Sequence, residues 1–363
     1  MKKKVLIVLN ESLHRGGNQA VIMSLVKGLS TTYLFDILLF TSEKAYYDEE
    51  FKTYGRNIFR IPNYEGKNKL RKKLDLYVRW IWHKKKVKKV LKNRYDIIHC
   101  INGFESGYVL KLAKKAQIPI RISMTATITD VNALRKIYNS FWLKRIMKYS
   151  TANVGCSKEA CETMYGKRYC IIPNSYRKEF ETPIKEKEFE NPILIQIASF
   201  GGNKNQLFAI RVLNEVLKKH PKAYLHLVGF ELEEGYSDRI SDLIEQLGIR
   251  KNIIFHTSDA NTIELLDNST YLLLPSNKES FGIVLLEAQA RGVKCVVSNT
   301  VSEAANCGGC IYLPIDNGEK IWADYIVEDF SKNKGKHQEY DLTSFKEENV
   351  LKQYEDLYEG KLK

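Results

Sequence analysis

The feature that most limits what this chain can fold into is a theme it repeats from end to end. A short apolar run is followed by a loop, and the loop by a longer segment with apolar residues at helical spacing. In the first half the runs are "KVLIVLN", "FDILLFT", "NIFRIP", "YDIIHCI" and "IPIRISMT", and "TANVGCS" and "YCIIPN" close it. Each reads as a strand bounded by turn residues. Between the first two, "QAVIMSLVKGL" places Val21, Ile22, Leu25, Val26 and Leu29 at the spacing of one helical face. Strands alternating with helices predict an open, largely parallel α/β sheet. A polar, acidic stretch, "RKEFETPIKEKEFENP", then reads as a linker. After it the theme restarts with "ILIQIAS", "AYLHLVG", "NIIFHT", "YLLLPS" and "KCVVSN" as strands. "NQLFAIRVLNEVLKKH", "DRISDLIEQLG", "NTIELLDNS" and "GIVLLEAQARG" are the intervening helices. The pattern predicts two doubly wound domains. Ligands of such sheets bind beyond the carboxyl ends of the strands, which singles out the loops after "KVLIVLN" and "YLLLPS".

Bulk properties fit that architecture. A chain of 363 residues is long enough for two domains with real cores. At 44% apolar and 28% charged it has a globular composition. The apolar part of "MKKKVLIVLN" is too short for a signal peptide, and no small-residue cleavage site follows. No stretch approaches the ~18 apolar residues of a membrane span, so a cytoplasmic protein is expected. The seven cysteines are odd in number and scattered, which is no disulfide framework. Cys307-Gly-Gly-Cys310 has no second pair or nearby histidine to complete a metal site, and two thiols near a loop are the expected reading.

Charge is unevenly spread. The whole chain is +14, yet residues 1–170 carry 34 Lys and Arg against 13 Asp and Glu, a balance of +21 that the remainder offsets by −7. Such asymmetry suggests that the first half faces something anionic. The richest stretch, "KNKLRKKLDLYVRWIWHKKKVKKVLKNR" over residues 67–94, has thirteen basic residues and one acid, Asp75. Leu70, Leu74, Tyr77, Val78 and Ile81 recur there at helical spacing, with Trp80 and Trp82 beside them. Two readings are compatible. An inner face covers the sheet, and an outer face lies on an anionic membrane surface. No recognition motif accompanies the charge, so no nucleic-acid partner is expected.

The most specific signal is "PSNKESFGIVLLEAQARG". Glu279 falls in the loop after a strand, and Ser280, Phe281 and Gly282 lead into a helix. The free amides of that helix end carry partial positive charge and accept a phosphate. Glycine at 282 lets the backbone approach a ligand. Glu287 comes near the end of the second turn, where a carboxylate suits the vicinal hydroxyls of a ribose, while Glu279 suits sugar hydroxyls. Taken alone, the pair is also what a helix with a surface carboxylate would show.

In this order and context the chain resembles the family 4 retaining glycosyltransferases, nearest to those building bacterial capsule, exopolysaccharide and lipopolysaccharide. The segments that carry the resemblance are "RGGNQAVIMSLVKGL", "VGCSKEACETMYG", "IIPNSYRKEF", "KNQLFAIRVLNEVLKKHPKAYLHLVG" and "NIIFHTSDANTIELLDNSTYLLLPSNKESFGIVLLEAQARG". "ESFGIVLLE" matches the family's E-x7-E signature. The resemblance implies a GT-B fold, two Rossmann-like domains facing a cleft. The implied divisions are an acceptor-side domain over 1–172, a linker over 173–191, a nucleotide-sugar domain over 192–344 and a C-terminal helix, 345–363, returning to the first domain. It implies metal-independent transfer of a sugar, with retention, from a nucleotide-diphosphate donor, UDP first, to a growing, lipid-linked saccharide at the inner face of the plasma membrane. No cofactor is implied, since the nucleotide-sugar is a substrate.

Roles follow residue by residue. Glu279 would meet donor-sugar hydroxyls and Glu287 the ribose. Ser280 and the amides of Phe281, Gly282 and Ile283 would hold the diphosphate together with Lys204. Gly16 and Gly17 match the glycine loop of the first domain. Two departures stand out. Where the family has an arginine before the lysine, this chain has Ser199, and Arg177 or Arg15 is the candidate replacement. Where relatives carry a histidine-bearing stretch, it has Met124-Thr125-Ala126-Thr127, which leaves Thr125 as a hydrogen-bonding group and His99 as the nearest imidazole, with His14 in the glycine loop; a satisfied core histidine is the ordinary reading of His99. "IIPNSYRKEF" also lacks the family's Gly-Ile-Asp, having Ser175-Tyr176-Arg177. These departures leave two alternatives open: a non-catalytic partner subunit, or a sugar-nucleotide epimerase of the same fold.

Overall fold

The computed structural model describes residues 2–63, 69–101, 103–125, 133–184, 187–316 and 318–362. Lys67, Ala126 and Thr127 lie outside the described residues, as do the side chains of Leu70, Leu74 and Tyr77. The chain divides into two compact units, Met1–Asn174 with Glu347–Lys363, and Ser175–Lys346.

The first unit runs β1 (Lys3–Leu9), α1 (Gly17–Leu29), β2 (Tyr33–Leu39), α2 (Asp48–Tyr54), β3 (Ile58–Arg60), α3 (Lys69–Leu91) and β4 (Ile97–Ile101). It continues with α4 (Ser106–Lys115), β5 (Ile120–Thr125), α5 (Ala133–Tyr149), β6 (Ala152–Gly155), α6 (Lys158–Tyr165) and β7 (Cys170–Ile171). All strands pair in parallel, in the order β3-β2-β1-β4-β5-β6-β7. Parallel strands covered on both faces read as unbroken apolar runs, and Val5 to Leu9 are indeed all buried. The strand order reverses between β1 and β4, so the glycine loop after β1 opens at a topological switch point.

The second unit runs β8 (Ile193–Ile197), α7 (Gln206–Leu217), β9 (Tyr224–Val228), α8 (Tyr236–Leu247), β10 (Ile253–His256) and α9 (Thr262–Asp267). Then come β11 (Tyr271–Leu274), α10 (Ile283–Ala290), β12 (Lys294–Ser298), β13 (Cys310–Leu313) and α11 (Glu319–Asn333). Its parallel sheet has the order β10-β9-β8-β11-β12-β13, and its switch point lies between β8 and β11. All seven cysteines are free thiols, and Cys310 pairs in register with Cys295.

The last helix, α12 (Glu347–Tyr358), belongs to the first unit. Val350, Tyr354, Leu357 and Tyr358 are buried in its core. Each side chain so buried contributes roughly 1.5–3 kcal/mol. The Tyr358 ring meets Tyr33 edge-on at 5.2 Å, and its hydroxyl bonds His99 Nδ1 at 2.9 Å.

Two sequence expectations change in detail. The stretch read as a linker is structured from Ser175 onward as part of the second unit, because Arg291 of the turn after α10 holds it by hydrogen bonds to the carbonyls of Phe180, Thr182 and Pro183. On α3, Ile81 is exposed, while the buried positions are His83, Val87, Val90 and Leu91. At ~100° per residue Ile81 stands almost opposite His83, so Ile81 is not on the face that these buried residues form. His83 stacks on Phe40 at 5.0 Å instead.

Candidate functional site

In the second unit the sequence candidates gather at the switch point. The loop after β8 carries Ser199 and Lys204, and the loop after the adjacent β11 carries Glu279 and Ser280. Lys204 Nζ donates to the Glu279 carboxylate in a half-buried ion pair. The two loops are latched to each other by hydrogen bonds that the sequence did not announce. Asn277 N donates to Asn203 O at 2.8 Å, Asn277 Nδ2 to Gly202 O at 2.9 Å, and Asn203 Nδ2 to Lys278 O at 3.0 Å. The only sequence hint is an Asn-Lys pair in each loop, "GGNKNQ" and "PSNKES". Beneath them, buried Gln206 bonds Ser199 O at 3.0 Å and Gly201 N at 3.3 Å, and Gln196 Nε2 bonds Lys204 O at 2.7 Å. Lys204 is therefore set by its backbone as well as by its charge partner.

Glu279 is held in turn by a parallel bridge to Val301, with Ser302 N donating to its carbonyl at 3.1 Å. Ser280 and Phe281 are buried, and the Phe281 ring packs on Phe345 at 6.1 Å. Gly282 caps α10 in the left-handed region, φ +79°, a conformation glycine adopts without steric cost. Ile283 opens the helix, whose first amides have no intrahelical partner. Glu279 is thus paired with a lysine and stands four residues before the first residue of α10, whose positive end suits an anion.

Glu287 lies further along α10, with a side chain only 12% exposed. Burial raises its carboxyl above the ordinary range, and Arg177 partly offsets the rise. Arg177 Nε sits 2.9 Å from Glu287 Oε1, and its Nη2 is 3.0 Å from Thr262 Oγ1 on α9. The Arg177 guanidinium also lies over the Phe180 ring at 4.7 Å. Arg177 is thus tied to the carboxylate at Glu287, and its side chain is 56% exposed.

The remaining candidates belong to the first unit. Gly16 is the N-cap of α1 in extended conformation and Gly17 its first residue. A Cβ at Gly16 would meet Gln19 Oε1 at 2.7 Å and His14 Nε2 at 3.0 Å, so a larger residue there displaces one or both side chains. His14 is exposed and contacts Ser12 O and Gln19, and the Arg15 guanidinium lies 5.3 Å from the Tyr46 ring centre. Thr125 ends β5 and is buried, next to buried Met124. His99 is fully buried on β4. Burial pushes its pKa down to about 3, so it is a neutral core imidazole and not a base near neutral pH.

Comparison with known proteins agrees with this geometry. Residues 177–306 match the family model described as Glycosyl transferases group 1. The chain is 23% identical over 350 residues to the putative glycosyltransferase EpsF of Bacillus subtilis, covering 90% of this chain and 87% of that one. It is 25% identical over 338 residues to the capsular polysaccharide biosynthesis glycosyltransferase CapH of Staphylococcus aureus, covering 89% of each. Among solved structures, that of Anabaena HepE in complex with UDP and glucose superposes with a TM-score of 0.73 at 15% identity over 98% of both chains. The segment that carries Lys204, Glu279 and Glu287 is thus the part of the chain that matches the group 1 glycosyl transferase model, and the two α/β units of the chain have the GT-B fold.

Proposed function

We propose that this protein is a retaining glycosyltransferase of bacterial surface-polysaccharide synthesis, using a UDP-sugar and a lipid-linked saccharide acceptor. The observation that carries the proposal is the meeting of Lys204 with Glu279 at the switch point, beside the N-terminus of α10. A diphosphate entering there draws Lys204 Nζ away from the carboxylate and accepts the amides of Phe281, Gly282 and Ile283. Glu279 is then released to bind hydroxyls of the donor sugar. Glu287 takes the ribose hydroxyls, for which it exchanges the Arg177 contact. During transfer the bond from the anomeric carbon to the phosphate oxygen breaks and its electron pair stays on the diphosphate. The acceptor hydroxyl oxygen bonds to the same face of the sugar, and its proton passes to the departing diphosphate oxygen. Lysine and helix amides stabilise the leaving oxygen, an effect worth roughly 3–4 kcal/mol per well-placed donor in other enzymes. Gly16, Gly17, Ser199, Ser280 and Thr125 serve as close-approach or hydrogen-bonding positions, and none carries charge. The basic segment over 67–94 holds the enzyme at the anionic inner face of the membrane. Among the described residues no helix is long and apolar enough to cross one.

The test is calorimetry of the purified protein with UDP and GDP, repeated on Glu287→Ala and Lys204→Ala. One UDP per chain, with affinity lost in both variants, is the expected result. No binding even at millimolar nucleotide would refute a donor site and favour the reading as a partner subunit that has lost its diphosphate arginine at Ser199.

A further inference from the structure

A second cationic site lies in the first unit and plays no part in the chemistry above. Helices α3, α4 and α5 enclose a cavity of about 140 Å³. At roughly 30 Å³ per water, it has room for a phosphate group and part of an ester. Lys84 and Lys88 come from α3, Lys111 and Lys115 from α4, and Arg145 from α5. Among the described residues none of these five cations has an acidic partner. The nearby carboxylate, Glu105, is already neutralised by Arg79, whose Nε and Nη2 reach its oxygens at 3.0 and 2.6 Å, and Glu105 does not line the cavity. Five like charges around one hollow repel one another unless an anion enters.

The walls show that the hollow is more than a charged surface. Trp142 and Tyr108 line it at 2% and 4% exposure. Trp142 Nε1 and Tyr108 Oη are buried polar atoms without a hydrogen-bond partner. A buried donor left unpaired costs about 1–3 kcal/mol, a cost that an acceptor within reach of either side chain would offset. Burial, with Glu105 nearby, holds the Tyr108 hydroxyl far above its ordinary pKa, which keeps it a donor. Arg145 is positioned by the Phe141 ring, 3.4 Å from its guanidinium carbon, and by the Phe141 carbonyl at 3.0 Å. That uses one of five N–H donors. An occupant able to satisfy five cations and two neutral donors is an acceptor-rich polyanion.

We propose that the space between α3, α4 and α5 is a binding pocket for a phosphate ester, separate from the nucleotide site. The rim suggests where the ester comes from. Phe141 and Ile137, one turn apart on α5, are 44% and 71% exposed, and Ile81, one turn before Lys84, is 49% exposed. Apolar side chains around a cationic mouth fit the headgroup level of an anionic bilayer, and a soluble phosphate ester shares the same chemistry. The lipid source rests on the membrane reading above; the pocket itself does not.

Two charge-matched variants of the full chain test it. Lys84→Gln/Lys88→Gln/Arg145→Gln empties the pocket of three charges, and Lys85→Gln/Lys86→Gln/Lys89→Gln removes three from the exposed remainder of α3. Trp142→Phe and Tyr108→Phe each delete one donor and keep a ring. Probes are phosphatidylglycerol–phosphatidylcholine vesicles, phosphatidylcholine vesicles alone, inorganic phosphate and glycerol 3-phosphate. The expected result is a tenfold or greater loss for the pocket triple, several-fold losses for the two ring variants and less than threefold for the exposed-face triple. Pocket-dependent binding of vesicles only identifies the source as a lipid, and of soluble phosphates only, a free ester. Equal losses for both triples overturn the pocket and leave the membrane reading intact. No binding to any probe overturns both.

Discussion

Replacing Arg291 with methionine probes how the site is held, because this residue ties three pieces of the second unit together. Its side chain is 1% exposed. Nε and Nη2 bond the two Asp267 oxygens at 2.6 and 3.0 Å, and Nη1 reaches Thr182 Oγ1 at 2.9 Å and Phe180 O at 3.1 Å. Methionine fills most of the volume and supplies none of these donors. Breaking a buried pair from one side costs about 3–5 kcal/mol. The unit spans Ser175–Lys346, a size at which each kcal/mol lowers the melting temperature by ~2–4 °C, so a fall of roughly 6–20 °C is expected. Thermal unfolding followed through Trp322, the one tryptophan of this unit, measures that fall, and urea unfolding the free-energy loss. Adding Asp267→Asn should return about 1 kcal/mol or more, since the carboxylate is no longer left charged beside an apolar side chain. A loss below about 1 kcal/mol, with no recovery in the double variant, would show that Arg291 does not hold the 180–183 segment as argued.

Three further outcomes follow from the same geometry. His99 is held neutral with a pKa near 3, whereas in the unfolded chain it takes a proton below about 6.5. Its contribution to stability is therefore complete above pH 6.5 and lost as pH falls, by up to ~1.4 kcal/mol per unit. His99→Gln should flatten that slope in unfolding of the first unit, followed by Trp80, Trp82 and Trp142 between pH 7 and 5; an unchanged slope contradicts the assignment. Gly282→Ala forces a Cβ into the left-handed region and to 3.2 Å from Leu285 Cδ1, so a loss of about 1–2 kcal/mol and weaker UDP binding should appear together in denaturation and calorimetry. Ser199→Arg restores the charge the resemblance places there and should tighten UDP about tenfold, or ~1.4 kcal/mol; unchanged affinity would mean that this position does not face the diphosphate.

How much could be read beforehand differs from element to element. The strands of both sheets were legible because parallel strands buried on two faces leave unbroken apolar runs such as "KVLIVLN" and "YLLLPS". Gly282 was legible as a glycine at a loop-to-helix junction where the backbone can approach a ligand, and Glu279 and Glu287 because their spacing brackets that junction; its left-handed φ was not read. Partnerships across the chain were not legible. Nothing local says that Arg177 meets Glu287, 110 positions away, or that Asn203 and Asn277 latch two loops. The second of these depends on β8 and β11 lying side by side at the switch point. His99, at a strand end, reads from sequence as a core imidazole or a cleft residue, and Ile81, in a helical stripe, as buried; neither outcome is settled locally. The packing of α12 encloses the first, and the rotation of α3 exposes the second. Sequence by itself determined the elements, the glycine junction and the residues able to do chemistry, since these follow from local stereochemistry and periodicity. Which carboxylate faces which cation, and which helix faces enclose the pocket of Trp142 and Arg145, was decided only by the tertiary structure, because such pairings arise when distant segments are brought together.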